Sequence, residues 1–298
     1  MISLTDLARL ADTYATDLQH PIAPLRIGGT VHDTDHSPVV MATVNLSRDS
    51  TYRESVAVSA ESAIRKARIA AAQGAHCVDV GAESTTAAAA RIEVDEQIDR
   101  LAPVVKTLAA DGIVVSVESY HPEVISAALE AGARIVNLTG TSDERAAFEM
   151  TARHGATLVL CHATGANVRE IGEVDLADPI EHMTQVLGAR VETARAAGVE
   201  QIAIDPGLGF YYANTVDPTT RVDYQTRVLT STFRLRRLGL PVCHAMPHAF
   251  DLFEEEFRTA EGFFTVLARL GGTGVFRTHE VGRVVPVLRA LGVLSVGG

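Results

Sequence analysis

The chain has 298 residues, 47% of them apolar and 21% charged, a balance that supports a packed core and excludes a disordered chain. A formal charge of −11 opposes nucleic acid or an anionic membrane as the main partner, yet leaves small anionic ligands open to local Arg and His. Of the 26 basic side chains only Lys66 and Lys106 are lysines, so 26 − 2 = 24 are arginines and any lysine-dependent chemistry must come from those two.

The first residues, MISLTDLARLADTY, lack the basic-then-apolar order of a signal peptide, and no run approaches the roughly 18 to 20 apolar residues of a membrane helix, which places the protein in the cytosol. A helix is expected over 4–18. PLRIGGTVHDTDHSP (24–38) then sets GG between two short β-like stretches and predicts a hairpin capping the floor of a barrel. Residues 1–38 form this N-terminal helix and hairpin, and 39–298 the main unit, with no linker between them.

From residue 39 onward, β-rich runs alternate eight times with amphipathic segments, the pattern of parallel strands joined by crossover helices. The strands read VVMATVN (39–45), CVDVGA (77–82), IVVSVES (113–119), RIVNLTG (134–140), TLVLCHA (157–163), QIAIDPG (201–207), PVCHAM (241–246) and GVFRTHE (274–280). Glycine ends several intervening helices, as in AAAQGAHCVDV and ALEAGARIVNL, where it supplies the left-handed cap. Eight such units in about 260 residues fit an α/β fold of the TIM (β/α)8 barrel type better than a doubly wound sheet. Cys77, Cys161 and Cys243 each fall within a strand and are expected to be buried free thiols.

The active face of such a barrel is built from the C-terminal ends of its strands. The polar residues expected there are Asn45, Glu83 to Thr85, Glu118, Asn137, His162, Asp205, His244, His248, Arg277 and His279. Carboxylates on the third and sixth strands and a carboxamide on the fourth suit the edge of a planar nitrogen heterocycle. Arg277 suits a ring face or a phosphate, and His279, two residues on, shares its side of the strand.

VVMATVNLSRDS, VDVGAEST, VVSVESYHPEV, RIVNLTG, IDPGLGF and FRTHEV, in this order and spacing, resemble the successive strand motifs of the dihydropteroate synthase family of pterin-binding TIM barrels. The resemblance runs from about residue 25 to 291. That family joins a pterin carrying a CH2 diphosphate to p-aminobenzoate, with magnesium assisting the departure of diphosphate. The resemblance implies that Asn45 holds diphosphate and magnesium, with Asp49 and Ser50 retained nearby. Arg277 and His279 match the pair that grips diphosphate, the arginine also flanking the pterin. Asn137 and Asp205 match residues on the pterin edge, Thr85 the threonine of the second loop, and Phe210 closes the IDPGLGF motif beside the ring.

Departures from the family pattern fall both on the pterin side and on the aminobenzoate side of the site. Glu118 stands for an aspartate, Leu138 for another, Thr86 and Ala87 for arginine and proline, Tyr211 and Tyr212 for glycine and lysine. In the seventh-strand loop Pro247, His248 and Ala249 stand where the family has serine, arginine and lysine. Lys66 and Lys106 fall on the first two crossover helices, outside the barrel, so His248, with His244 as the second choice, is the candidate titratable substitute. Tyr211, Tyr212, Phe250 and Phe253 offer aromatic walls near the mouth.

The leading expectation is therefore a pterin- or reduced-folate-dependent transferase with an altered second-substrate site, His248, Arg277 and His279 carrying its chemistry. An authentic dihydropteroate synthase and a non-catalytic pterin binder are the alternatives. Metal hydrolysis through the Cys161-His162 and Cys243-His244 dipeptides is disfavoured, because neighbouring residues of a strand face opposite ways. Glycosidase chemistry through Glu118 and Asp205 is the less economical reading. The resemblance also implies a homodimer through the late helices, to which FEEEFRTAEGFFTVLARL (253–270) contributes apolar surface.

Overall fold

The computed structural model describes residues 2–47, 52, 56–57, 59–86 and 89–295. Eight strands form one parallel sheet: β3 (Val39–Asn45), β4 (Cys77–Gly81), β5 (Val115–Ser119), β6 (Ile135–Leu138), β7 (Thr157–Cys161), β8 (Gln201–Asp205), β9 (Cys243–Ala245) and β10 (Val275–Thr278). Their order is β8-β7-β6-β5-β4-β3-β10-β9. The sheet closes through a parallel bridge between Ile204 and Val242, where the Ile204 N–H donates to the Pro241 carbonyl at 3.1 Å. The fold is a TIM barrel. Its strands are short, β-branched and buried on both faces, as strands under a jacket of helices must be.

The strands begin and end somewhat inside their expected limits, for local reasons. Ile113 caps the preceding helix, its N–H bonded to Leu108 O at 3.0 Å, so β5 starts at Val115. Pro241 has no N–H to give the ladder, so β9 begins at Cys243. The helices α3 (Ala60–Ala72), α4 (Val94–Ala110), α5 (Pro122–Ala131), α6 (Glu144–Arg153), α7 (Pro179–Ala196), α8 (Pro218–Ser231), α10 (Ala260–Leu270) and α11 (Val281–Val293) ring the sheet. A one-turn helix α9 (Phe250–Phe253) and a 3-10 segment (Glu254–Thr259) lead into α10. Ser59 and Ser62 form a capping box at α3, and Gly132, at φ 117°, ends α5.

The expected helix over 4–18 is two pieces, α1 (Leu4–Thr13) and α2 (Ala15–Leu18), broken at Tyr14. The Tyr14 ring lies 3.9 Å under the Arg234 guanidinium, which holds the break against the barrel. The hairpin β1 (Leu25–Ile27) and β2 (Thr30–His32) covers the N-terminal ends of the strands. Arg26 N donates to Gln201 Oε1 at 2.9 Å, and Thr157 Oγ1 donates to the Arg26 carbonyl at 2.6 Å. Gly28 turns the hairpin at φ 63°, where a Cβ would stand 2.6 Å from Val114 Cγ2. With the bottom plugged, access to the barrel is from the C-terminal face. No helix among the described residues is long and apolar enough to cross a membrane.

Candidate functional site

At that face a cavity of about 920 Å3, mouth included, opens above Thr43, Glu118, Ala245 and Arg277. Asn45, Glu83, Ser84, Thr85 and Thr86 line one side; Leu208, Gly209, Phe210, Tyr211, Arg221 and Gln225 line another; Met246 to Phe250, with Tyr52 and His279, complete it. The cavity is thus made of strand ends and the loops after them, which carry position without strand register.

Its floor is an ionic network. Strand parity turns Asp79, Ser116, Glu118, Asn137 and Arg277 inward, where Asp79 and Arg277 link the set. Arg277 Nη1 donates to Glu118 Oε2 at 2.7 Å and lies 3.4 Å from Asp79 Oδ2. Asp79 also accepts from Ser116 Oγ at 2.6 Å and from Asn137 Nδ2 at 2.8 Å. The Cys161 thiol donates to Asn137 Oδ1 at 3.1 Å. Asp205 Oδ1 accepts from Gly207 N at 2.7 Å, while its Oδ2 and Arg277 Nε are buried without a hydrogen-bond partner.

One guanidinium among three buried carboxyl groups cannot neutralise them all. Burial pushes the Glu118 carboxyl up to about 7, against the pull of Arg277 and with a further push from Asp79. Burial likewise raises Asp205. Arg277 stays firmly protonated: burial works against its charge, but Glu118, Asp79 and Asp205 outweigh that cost. The floor therefore exchanges a proton near neutrality, and it leaves one acceptor and one donor unpaired.

One wall is built on Tyr52. Its ring centroid lies 4.6 Å from those of both His248 and His279, and its hydroxyl donates to Glu280 Oε1 at 2.5 Å. Arg258 holds the same carboxylate at 2.6 and 3.0 Å. Behind the imidazoles stands Glu261, on the first turn of α10 and 0% exposed. Its Oε2 accepts from Thr278 Oγ1, from His279 N at 3.1 Å and from Glu280 N at 3.4 Å. Its Oε1 faces His279 Nδ1 at 3.2 Å and His248 Nδ1 at 3.3 Å. Burial opposes the Glu261 charge, but the donors from His248 and His279 prevail and hold it well below the usual carboxylate range. Burial pushes His279 below the ordinary histidine value despite the pull of Glu261.

Asn45, Thr85, Glu118, Phe210, His248, Arg277 and His279 share the one cavity that the sequence places them around. Asn137 and Asp205 do not line it. They lie 0% and 1% exposed, Asn137 bonded to Asp79 and Asp205 to Gly207 N. Asp49, Ser50 and Ala87 lie outside the described residues. Of the expected aromatic walls, Tyr211 and Phe250 face the cavity, whereas Tyr212 is packed on Tyr224 with its hydroxyl on Gly207 O, and Phe253 packs on Phe263 and Phe264. Neither lysine lines the cavity. Lys66 nevertheless borders a cleft between α3 and the barrel wall that Thr43 and His279 also touch, closer than its helix position suggests.

Asp79, Tyr52 and Glu261 are functional neighbours that the sequence does not single out. For Asp79 a signal exists: it is the one acidic residue in the apolar run CVDVGA. Glu261 offers none, since it reads as one more acid in an acidic helix start. Glu83 proves to be a brace: its ion pair with Arg169 at 2.9 Å, the Tyr120 hydroxyl and Ile92 N tie two loops together. His162 and His244 face the helices, His244 against Thr232 Oγ1 at 2.8 Å and His162 against His182. Burial holds them down to about 4 and about 3, so both are neutral packing groups near pH 7. The three cysteines are buried and free.

A family description, the pterin binding enzymes, matches residues 41–279. The chain belongs to the pterin-binding enzyme family. It is 32% identical over 282 residues to a dihydropteroate synthase of Synechocystis, covering 91% of this chain and 95% of that one. Among solved structures it is similar to the Xanthomonas albilineans dihydropteroate synthase with 4-aminobenzoic acid, with a TM-score of 0.76, 27% identity, and 91% and 99% of the two chains covered. It is also similar to the Burkholderia cenocepacia dihydropteroate synthase complexed with 7,8-dihydropteroate, with a TM-score of 0.75, 25% identity, and 91% and 95% covered. In this pterin-binding barrel, the similarity extends over nearly the whole length of both chains.

Proposed function

We propose that the protein is a pterin-dependent transferase whose second-substrate site differs from that of dihydropteroate synthase, so that dihydropteroate is made poorly or not at all. The observation that carries the pterin half is the floor: Glu118 at the cavity, with Asp205 Oδ2 and Arg277 Nε buried and unpartnered beside it. A fused ring bearing amino and lactam N–H groups satisfies carboxylates of this kind and accepts from the guanidinium. Ring entry separates Glu118 from Arg277 and leaves the arginine over the ring or on an anionic substituent.

The observation that carries the second half is the seventh-strand loop. His248 is packed between Tyr52 and Phe250, and Pro247 and Ala249 supply no charge, so these three residues bring no arginine or lysine to the cavity. Arg221, at the rim near the Tyr211 ring, is the remaining cation for an acidic second substrate. The carboxamide of Asn45, at the end of β3 on the cavity wall, is a hard oxygen ligand and fits a magnesium that keeps most of its waters. Bound there with a diphosphate, magnesium supplies neutralisation of the leaving group's charge. Arg277 and His279 then bind and orient the anion, and Glu118 holds or releases a proton at the ring edge. For the folded chain we propose self-association through α10 and α11, which leave Phe263, Leu270 and Val293 exposed; light scattering of the purified protein tests it.

High-loading assays with the pterin diphosphate and p-aminobenzoate test the transferase reading. Pterin binding without dihydropteroate is the expected result; rapid dihydropteroate formation overturns the altered-site reading. Near-full coverage of relatives at about a third identity favours that second outcome, an authentic dihydropteroate synthase, over a non-catalytic binder.

A further inference from the structure

The His248, Glu261 and His279 group holds more than an anion grip requires. One nitrogen of each imidazole and one carboxylate oxygen lie within 4.8 Å of one another. Both imidazole Nδ1 atoms converge on the same atom, Glu261 Oε1, at 3.2 and 3.3 Å. Bonds of about 2.0 to 2.2 Å to a tetrahedral ion place its ligand atoms about 3.3 Å apart. The two imidazole-to-carboxylate separations match, and the two imidazole nitrogens lie within 4.8 Å of each other.

The carboxylate and both rings are also held in place from behind. Thr278 Oγ1 and the backbone N–H groups of His279 and Glu280 occupy Oε2, fixing the carboxylate with Oε1 turned to the imidazoles. Tyr52, pinned by Glu280 and Arg258, stacks on both rings and limits their rotation. The buried His248 Nδ1 and His279 Nδ1 share the single oxygen Glu261 Oε1, at 3.3 and 3.2 Å, a convergence of three ligand atoms on one point.

We propose that His248, Glu261 and His279 bind a divalent cation of the zinc class on the wall of the cavity. Two imidazoles and one carboxylate select such borderline ions over magnesium, which takes oxygen ligands. Three protein ligands leave a coordination position open. His248 and His279 border the cavity while their Nδ1 atoms meet the buried Glu261, so the ion sits within the cavity wall. The site does not depend on the pterin reading, because the metal is measured with no pterin present.

The test uses the full chain, stripped of metal, titrated with zinc and separately with cobalt. Expected are about one zinc per chain, a visible cobalt band of a low-coordinate site, and a zinc-dependent rise in melting temperature. His248→Ala weakens zinc binding by at least about tenfold and abolishes the rise, while His36→Ala, at a remote exposed histidine, changes neither. Excess magnesium leaves the cobalt band in place. Sub-stoichiometric zinc, or equal affinity in His248→Ala, overturns the proposal. Should that variant fail to fold, X-ray absorption of the zinc-loaded wild type decides: two imidazole nitrogens plus oxygen at about 2.0 to 2.2 Å support the site, and a sulfur or all-oxygen shell contradicts it.

Discussion

Glu118 and Arg277 set the chemistry of the floor. Glu118 titrates at about 7 when folded, against 4.5 for the free side chain. Its contribution to stability is therefore fully present below pH 4.5 and is lost as pH rises through about 7, because only the unfolded state ionises freely in that window. Glu118→Gln removes this slope, so denaturant midpoints of wild type and variant diverge across that interval. Arg277→Met strips the cation from beside three buried carboxyl groups and costs about 3 kcal/mol at pH 8, less at pH 5, where Glu118 protonates. Urea unfolding at the two pH values measures both.

At this scale the sequence is informative where a residue type is unusual for its surroundings. Glu118, Asn137, Asp205 and Arg277 stand out as polar residues in apolar strands, and strand parity turns them inward. It does not say how deep each one lies. Asn137 and Asp205 do not line the cavity because its floor is fixed by which side chains meet across the barrel, and no single strand carries that information.

At the scale of elements, two loops are held together by one buried ion pair. Arg169, from the loop after β7, pairs with Glu83, from the loop after β4, and also donates to the Ala89 and Ala90 carbonyls. Removing one partner strands the other in a low-dielectric site. Arg169→Met costs about 3 kcal/mol and speeds amide exchange over both loops, measured by mass spectrometry. At the opposite end, Gly28→Ala meets both a left-handed φ and the Val114 methyl, and lowers stability by about 1 to 2 kcal/mol in thermal unfolding.

Strand alternation and glycine caps make the eight elements legible, since each is a local pattern. Glu261 is not legible. It lies on α10, separated in sequence from His248 and His279, and only the closure of β10 against β9 and β3 brings the three together. In sequence it belongs to an acidic stretch beginning at Glu254, most of which is exposed.

For the whole molecule, barrel closure and the hairpin plug leave one entrance among the described residues, and Asn45, Thr85, Phe210, Arg277 and His279 face it. What differs from the family faces it too: Glu118, His248 and Tyr211 replace residues of the pattern without leaving the cavity. The fold is that of the family, and the proposed change of second substrate rests on these replacements. Against a net charge of −11, Arg277 is the buried arginine that meets a ligand at this entrance.

Calorimetric titration of the full chain with a reduced pterin tests the central claim most directly. The proposal predicts saturable binding of about one pterin per chain, weakened at least about tenfold by Arg277→Met and accompanied by a net proton exchange near pH 7 that Glu118→Gln removes. Absence of saturable heat, or binding indifferent to both substitutions, contradicts it.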